Sequence, residues 1–303
     1  MKNEIIVKVP ATSANMGSGF DCIGIALDIW NTVKVKELSS SSSKVSISGY
    51  GEDTLPTNQD NLVLQSFNRY FHEIDQPPPI VSIECNNQIA LARGTGSSSA
   101  ALVGGLYAAN VYAGNLLSKH DLVDIAGRIE GHIDNVAPAI FGGMQIGIFQ
   151  DDLIDVTNVP IYSDDLKAVL FVPDVAMATE SARNVLGEKV LREDAIFNIS
   201  RSALLIQSFV TGEWKNLTYA TQDRMHQPDR QKIFFPMKNI IRAALNSGAF
   251  GAYLSGAGST ILAFCIDREY TIGYEMADAA MKSGISGEIL VTKPSSKGVY
   301  HEE

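Results

Sequence analysis

One octapeptide limits the fold and the chemistry more than any other stretch of the chain: Arg93-Gly94-Thr95-Gly96-Ser97-Ser98-Ser99-Ala100, a Gly/Ser loop that feeds directly into an apolar helical pattern. Gly94 and Gly96 lack a Cβ, so a ligand oxygen can approach the backbone there. Free N–H groups at the helix start, together with the helix dipole, favour an anion. The loop therefore predicts either a phosphate site or, more plainly, serines that cap the helix. A Walker A loop is excluded because no Gly-Lys-Ser/Thr follows the glycines, and the dinucleotide fingerprint because the third glycine is missing. After the loop, Leu102, Gly105, Leu106 and Ala109 recur at i, i+3, i+4 and i+7 and predict one buried helical stripe.

The surrounding pattern is α+β. Residues 5–9, 28–36 and 44–48 read as strands, and the serine run at 39–43 as a solvated hairpin tip between the last two. Residues 61–74 have helical spacing and are stopped by Pro77, Pro78 and Pro79. Ser118 with Asp121 is an acidic capping box that opens a helix ending near Gly131. Residues 141–149 and 168–172 read as strands, separated by the acidic, turn-rich segment 151–165, which predicts the domain boundary. Residues 196–209 are helical by pattern, Pro236 opens a helix that Gly248 ends, and 251–266 read as strand, Gly-rich turn, strand. The expected architecture is two packed lobes, 1–158 and 159–303.

Composition narrows the function. The chain carries 24 basic and 34 acidic residues, a formal charge of −10, so no global positive field draws it to nucleic acid or anionic lipid. Any phosphate site must be local. Three widely spaced cysteines, Cys22, Cys85 and Cys265, contain no CxxC pair and fit a reducing cytoplasm. The opening MKNEIIVKVPATSAN has too short an apolar run for a signal peptide. The uncharged stretches 100–117 and 249–266 approach the length of a membrane span, but their Gly, Ala and Ser content argues for a folded core.

Two further segments mix small residues with functional groups. In PATSANMGSGFDCIG, residues 10–24, Asn15 and Asp21 sit among glycines, which suits either a ligand loop or an Asx turn with no ligand. In Glu130-Gly131-His132-Ile133-Asp134-Asn135 two carboxylates, an imidazole and an amide fall within six residues. A structural loop can look the same. A single histidine among carboxylates favours a hard, oxygen-preferring ion such as Mg²⁺ over zinc.

Read jointly, VPATSANMGSGFDCIGIAL, ALARGTGSSSAALVGG, EGHIDNVAPAIFGG and GAYLSGAGSTILAF resemble the motifs of the homoserine kinases, a family of the GHMP small-molecule kinase superfamily. The Gly/Ser loop alone resembles the superfamily; the first motif and EGHIDNVAPA resemble this family in particular. The motifs extend from Val9 to Phe264. The chain departs from the pattern at Ser18 and Ile133, where proline is common, and at Thr95, where leucine is common.

The resemblance implies an N-terminal α+β domain with the phosphate loop, a C-terminal ferredoxin-like domain, and a site between them. It implies phosphorylation of the L-homoserine hydroxyl by ATP, on the route to threonine. Arg93, Gly94, Thr95, Gly96, Ser97, Ser98 and Ser99 would hold the ATP phosphates, Asn61 would lie near the adenosine, and Ser98 with Glu130 would hold Mg²⁺. Arg183, after Thr179 in TESAR, and Arg230, in HQPDR, would clamp the substrate carboxylate, with Arg183 the firmer assignment. Asp134 would take the ammonium. Asn15, Asp21, His132 and Asn135 would surround the hydroxyl, with Asp21 the candidate base, and the Gly256 backbone would lie against the substrate. Homodimers are frequent in the family. The rival readings are a GHMP kinase for another small alcohol and a non-catalytic ATP or amino-acid sensor.

Overall fold

The structure, a computed structural model, describes residues 4–150 and 153–302. The chain runs through β1 (Ile5–Ala14), β2 (Ile23–Glu37), β3 (Lys44–Gly49), α1 (Leu62–Glu73), β4 (Val81–Asn87), α2 (Ser97–Ala113), α3 (Lys119–Glu130), α4 (Val136–Phe141), β5 (Met144–Gln150) and β6 (Leu153–Val159). It continues as β7 (Lys167–Pro173), α5 (Thr179–Asn184), α6 (Arg192–Thr211), α7 (Leu217–Ala220), α8 (Gln227–Arg230), α9 (Met237–Asn246), β8 (Gly251–Leu254), β9 (Ile261–Cys265), α10 (Glu269–Met281), β10 (Gly287–Thr292) and β11 (Tyr300–Glu302).

The first sheet has the order β11-β1-β2-β4-β3, with β5 added to β2 and β6 to β5. β1 occupies one edge of the fifteen-residue β2; the other is shared, β5 taking residues 23–25 and β4 residues 32–37. The β1/β2 register shifts between Pro10 and Ala11, so the proline, which has no N–H to give a ladder, sits at an irregularity. Beyond it, β1 ends at Ala14, which with Asn15 lines the cavity described below.

The second sheet is antiparallel, in the order β10-β7-β9-β8. Its strand and helix sequence matches the ferredoxin-like arrangement. Both faces are buried along β7, β8 and β9. On β7, Ala168, Leu170 and Val172 point into the core shared with the first sheet, while Val169 and Phe171 pack with Met237, Ile240, Ile272 and Met276 of α9 and α10. The period-two alternation is present, but both faces are apolar, so β7 reads in sequence as an unbroken hydrophobic run.

Several expectations hold. Ser118 and Asp121 form a reciprocal capping box on α3, and Gly131 ends the helix in the left-handed region. Pro236 precedes α9. The two uncharged stretches are the central helix α2 and the β8/β9 pair, and no helix among the described residues is long and apolar enough to cross a membrane.

Others need correction. The serine run is no hairpin tip, because β4 lies between β2 and β3 and β3 runs parallel to it. Residues 136–141 form α4, so the strand expected from 141 begins at Met144. The segment 151–165 is not simply a linker: β6 pairs along β5 in the first sheet, while Asp151 and Asp152 lie outside the described residues. The last strand, β11, returns to pair with β1, so the strands of 159–303 do not all belong to the second sheet. Finally, α2 is not striped. Five consecutive residues, Leu102 to Leu106, are buried, which spans more than a full turn and makes this a helix enclosed on every side.

Candidate active site

The loop after β4 enters α2 through two left-handed glycines, Gly94 at φ +78° and Gly96 at φ +73°. Both are required by what surrounds them. A Cβ on Gly94 would stand 2.1 Å from the Ser255 carbonyl oxygen, and one on Gly96 1.9 Å from Thr12 Oγ1. No side chain caps α2, so the capping reading of the serines fails, and Gly96, Ser97, Ser98 and Ser99 at its uncapped start line the cavity described next. The loop is seated by the opposite half of the molecule: Ser255 Oγ donates to Gly94 O at 2.6 Å, and Thr260 N to Arg93 O at 2.9 Å.

One cavity gathers most of the expected residues. It is lined by Asn15, Asp21, Gly94, Gly96, Ser97, Ser98, Ser99, Glu130, His132, Asp134, Asn135, Thr179, Arg183, Arg230 and Gly256, with Ala14, Ala92, Met177 and Ala257 completing the wall. These come from the β1–β2 loop, the start of α2, the α3–α4 turn, α5, α8 and the β8–β9 turn, so only the assembled fold makes the site.

Two expected loop residues point away from the cavity, and Asn61 lies beside it in a slot of its own. Arg93 turns away from the cavity: Nε donates to Pro173 O, Nη1 to Leu91 O and Nη2 to Asp174 O, which fastens the loop to the end of β7. Thr95 is buried, its hydroxyl donating to Ala90 O at 2.9 Å. Asn61 caps α1, accepting from Val63 N and Leu64 N, and lines a neighbouring slot rather than the main cavity. That slot is walled by Ile47, Leu55, Pro56, Leu62, Val63 and Leu91, with Asn31 and Asn87, and shares Ala92, Ser97 and Ser98 with the main cavity. It has apolar walls of the kind a flat heteroaromatic ring packs against, beside the uncapped start of α2.

The α3–α4 turn is a chain of charges. His132 Nε2 lies 3.0 Å from Glu130 Oε2, and its Nδ1 3.1 Å from Asp134 Oδ1. Burial opposes the imidazolium, yet hydrogen bonds to Asp134 and Glu130 prevail and raise the histidine to about 10. Burial likewise works against the Glu130 carboxylate, which His132, Ser98 and Ser99 nevertheless hold below the usual range. Ser98 Oγ donates to Glu130 Oε1 at 3.1 Å, bringing the expected metal pair together. Asn135 Oδ1 accepts from Thr12 Oγ1 at 2.7 Å.

On the facing wall Asn15 is spent on structure: its Oδ1 accepts from Asp21 N and its Nδ2 donates to Gly256 O. Gly256 also receives Arg230 Nη1 on its carbonyl and gives its own N–H to Ala14 O, so it positions neighbours rather than offering its backbone to a ligand. Arg183 and Asp21, expected to hold separate ends of a substrate, grip each other at 2.9 and 3.0 Å. Burial works against the Arg183 charge, and Asp21 overrides it.

Arg230 differs. It is only 2% exposed, and its hydrogen bonds go to Ala182 O, His226 Nδ1 and Gly256 O, none to a carboxylate. Burial pushes its guanidinium down to about 10. Nη2 carries no hydrogen bond among the described residues. A buried cation without a bound carboxylate is costly, and a ligand carboxylate relieves that cost. Arg183 has a carboxylate partner in Asp21, whereas Arg230 has none among the described residues. Sequence reasoning missed the apolar slot and His226; the latter was visible only as the first letter of HQPDR.

Residues 61–143 match the model for the GHMP kinases N terminal domain and residues 205–272 that for the GHMP kinases C terminal domain. A homoserine kinase of Desulfitobacterium hafniense is 39% identical over 293 residues, covering 96% of this chain and 98% of the relative. That of Caldicellulosiruptor bescii is 38% identical over 279 residues, covering 92% and 90%. The crystal structure of homoserine kinase from Cytophaga hutchinsonii superposes with a TM-score of 0.89 at 28% identity, covering 100% of this chain and 98% of that one. With sequence, fold and cavity in agreement, the chain belongs to the homoserine kinase family of the GHMP kinases.

Proposed function

We propose that the protein transfers the γ-phosphoryl group of ATP to the hydroxyl of L-homoserine, giving ADP and O-phospho-L-homoserine. The observation that carries this reading is the shared cavity of the uncapped α2 start and Arg230, a buried cation whose hydrogen bonds reach no carboxylate. The first is suited to phosphates and the second to an α-carboxylate.

In this reading residues 1–158 supply the phosphate loop and the adenosine slot, and residues 159–303 complete the amino-acid site through Thr179, Arg183 and Arg230. Ser98 and Glu130 form a hydroxyl and carboxylate pair of hard oxygen donors, which fits Mg²⁺ held by one carboxylate and the nucleotide phosphates. Held by Ser98 and Glu130, such an ion would supply neutralisation of the nucleotide's phosphate charge. The substrate carboxylate bonds to Arg230 and takes the place of Asp21 on Arg183. Asp134 Oδ2, left over from the bond to His132, receives the ammonium. The substrate hydroxyl oxygen forms its bond to the γ-phosphorus as the bond to the β,γ-bridging oxygen breaks, and the hydroxyl proton passes to the released Asp21 carboxylate. Soluble substrates and three unpaired thiols suit a cytoplasmic setting.

Phosphorus NMR of a reaction containing ATP, Mg²⁺ and homoserine tests the assignment. A phosphate monoester on the homoserine oxygen is expected; ATP consumption that yields only inorganic phosphate contradicts it.

A further inference from the structure

His226 takes no part in the reaction described above, yet among the described residues it is the one side chain that touches Arg230 by a hydrogen bond, with Nδ1 3.0 Å from Nη1. Its Nε2 lies 2.8 Å from the Gly17 carbonyl oxygen. These partners settle the ring's protonation. Arginine only donates, so Nδ1 is bare; a carbonyl only accepts, so Nε2 carries the hydrogen. The ring is the neutral Nε2–H tautomer, and burial, which lowers its pKa, acts in the same direction.

The ring is fixed on every side. It is 0% exposed and stacks on Phe20 with centroids 5.1 Å apart, and Phe20 also lies 5.6 Å from the Arg230 guanidinium. Asp223 is 3.5 Å from Nε2, but its carboxylate is committed to the backbone N–H groups of Met225, His226 and Gln227 and to Asn198 Nδ2. It therefore holds the backbone at the start of α8 and leaves the imidazole to bridge Gly17 and Arg230.

We infer that His226 is the positioning residue for carboxylate recognition, holding Nη1 of Arg230 so that Nη2 faces the cavity and tying the Gly17 loop to the same point. The inference rests on the reading of Arg230 as the carboxylate clamp. The bond to the Gly17 carbonyl fixes the tautomer that leaves Nδ1 to accept from Arg230.

Two conservative variants separate the two bonds. His226→Asn places an amide oxygen near the Nδ1 position and keeps an acceptor for Arg230 while losing Gly17; His226→Gln reaches Gly17 with its amide nitrogen and leaves Nη1 without a side-chain acceptor. Steady-state kinetics and thermal melting are measured for both. The expected result is a homoserine KM raised about tenfold in His226→Gln, the loss of one hydrogen bond to a charged group, and within about threefold of wild type in His226→Asn, with ATP KM and kcat within about threefold in both. Equal effects, the reverse order, an effect confined to ATP KM or kcat, or failure of both variants to fold overturns the inference. Wild-type protein inert toward homoserine removes the parent reading and this inference with it; active wild type with two unaffected variants removes only the inference.

Discussion

Arg183 grips Asp21 with both arms of its guanidinium, Nη1 to Oδ2 at 3.0 Å and Nη2 to Oδ1 at 2.9 Å, across the cavity. The side chains are 37% and 36% exposed, so the pair itself adds little to stability, about 0–1 kcal/mol. Such a bond is readily exchanged. In the proposed reaction a substrate carboxylate would present the same two oxygens to Arg183, and its arrival would free Asp21.

Arg183 and Arg230 therefore respond differently to removal. Arg183→Ala takes away a half-exposed contact and should raise the homoserine KM by roughly tenfold. Arg230→Met removes a buried cation and should cost about 2–4 kcal/mol of homoserine binding, with the ATP KM little changed. Steady-state kinetics on both variants decides the order; a larger loss at Arg183 contradicts it.

Glu130→Gln leaves Ser98 without its charged partner and weakens one side of the His132 bridge. We expect kcat to fall by about two orders of magnitude and the Mg²⁺ concentration for half-maximal rate to rise, a carboxylate being the stronger ligand for a hard cation. A Mg²⁺ titration of turnover, with circular dichroism to verify the fold, checks this. Unchanged activity and Mg²⁺ dependence would remove Glu130 from the site.

Gly96→Ala and Gly114→Ala both place a Cβ on a left-handed residue, at φ +73° and +92°. The second meets nothing within 4 Å, so only the backbone preference, about 1–2 kcal/mol, should be lost. The first drives a methyl into Thr12 Oγ1, which holds Asn135. Melting temperatures should fall in both, while only Gly96→Ala should raise the ATP KM, by tenfold or more on the scale of about 1.4 kcal/mol per decade.

Ser118→Ala should cost about 1 kcal/mol in urea unfolding at neutral pH through loss of the α3 cap. The Asp121 carboxyl is held below 3.8 by hydrogen bonds from the Ser118 side chain and backbone. Its folded value is depressed, so its contribution is present above the unfolded value and lost as pH falls through the folded one. The Ser118→Ala penalty should therefore shrink on acidification below about pH 4; a penalty constant with pH rules out the carboxylate's share.

The sequence declared the site better than the fold. Gly94 and Gly96 were legible as a close backbone approach, and Glu130, His132 and Asp134 as a cluster of charges, because each demands particular residue types at short spacing, whereas the pairing of Ser98 with Glu130 came from the resemblance. Side-chain direction was not legible: Arg93 and Thr95 stand in the loop yet point away from the cavity, a choice made by the carbonyls of Pro173, Asp174, Leu91 and Ala90. The apolar slot escaped because Ile47, Leu55, Leu62 and Leu91 come from four separate segments with no common period. Long-range pairing escaped too. Nothing local to residues 44–49 says that β3 joins β4 in parallel, or local to 300–302 that β11 closes on β1.

Phosphoryl transfer to homoserine is the central claim, and ADP release from the purified protein with ATP, Mg²⁺ and, separately, homoserine, threonine, serine, mevalonate and galactose tests it most directly. The account predicts turnover with homoserine far above every other alcohol. Turnover with another alcohol alone, or ATP binding with no turnover at all, contradicts it.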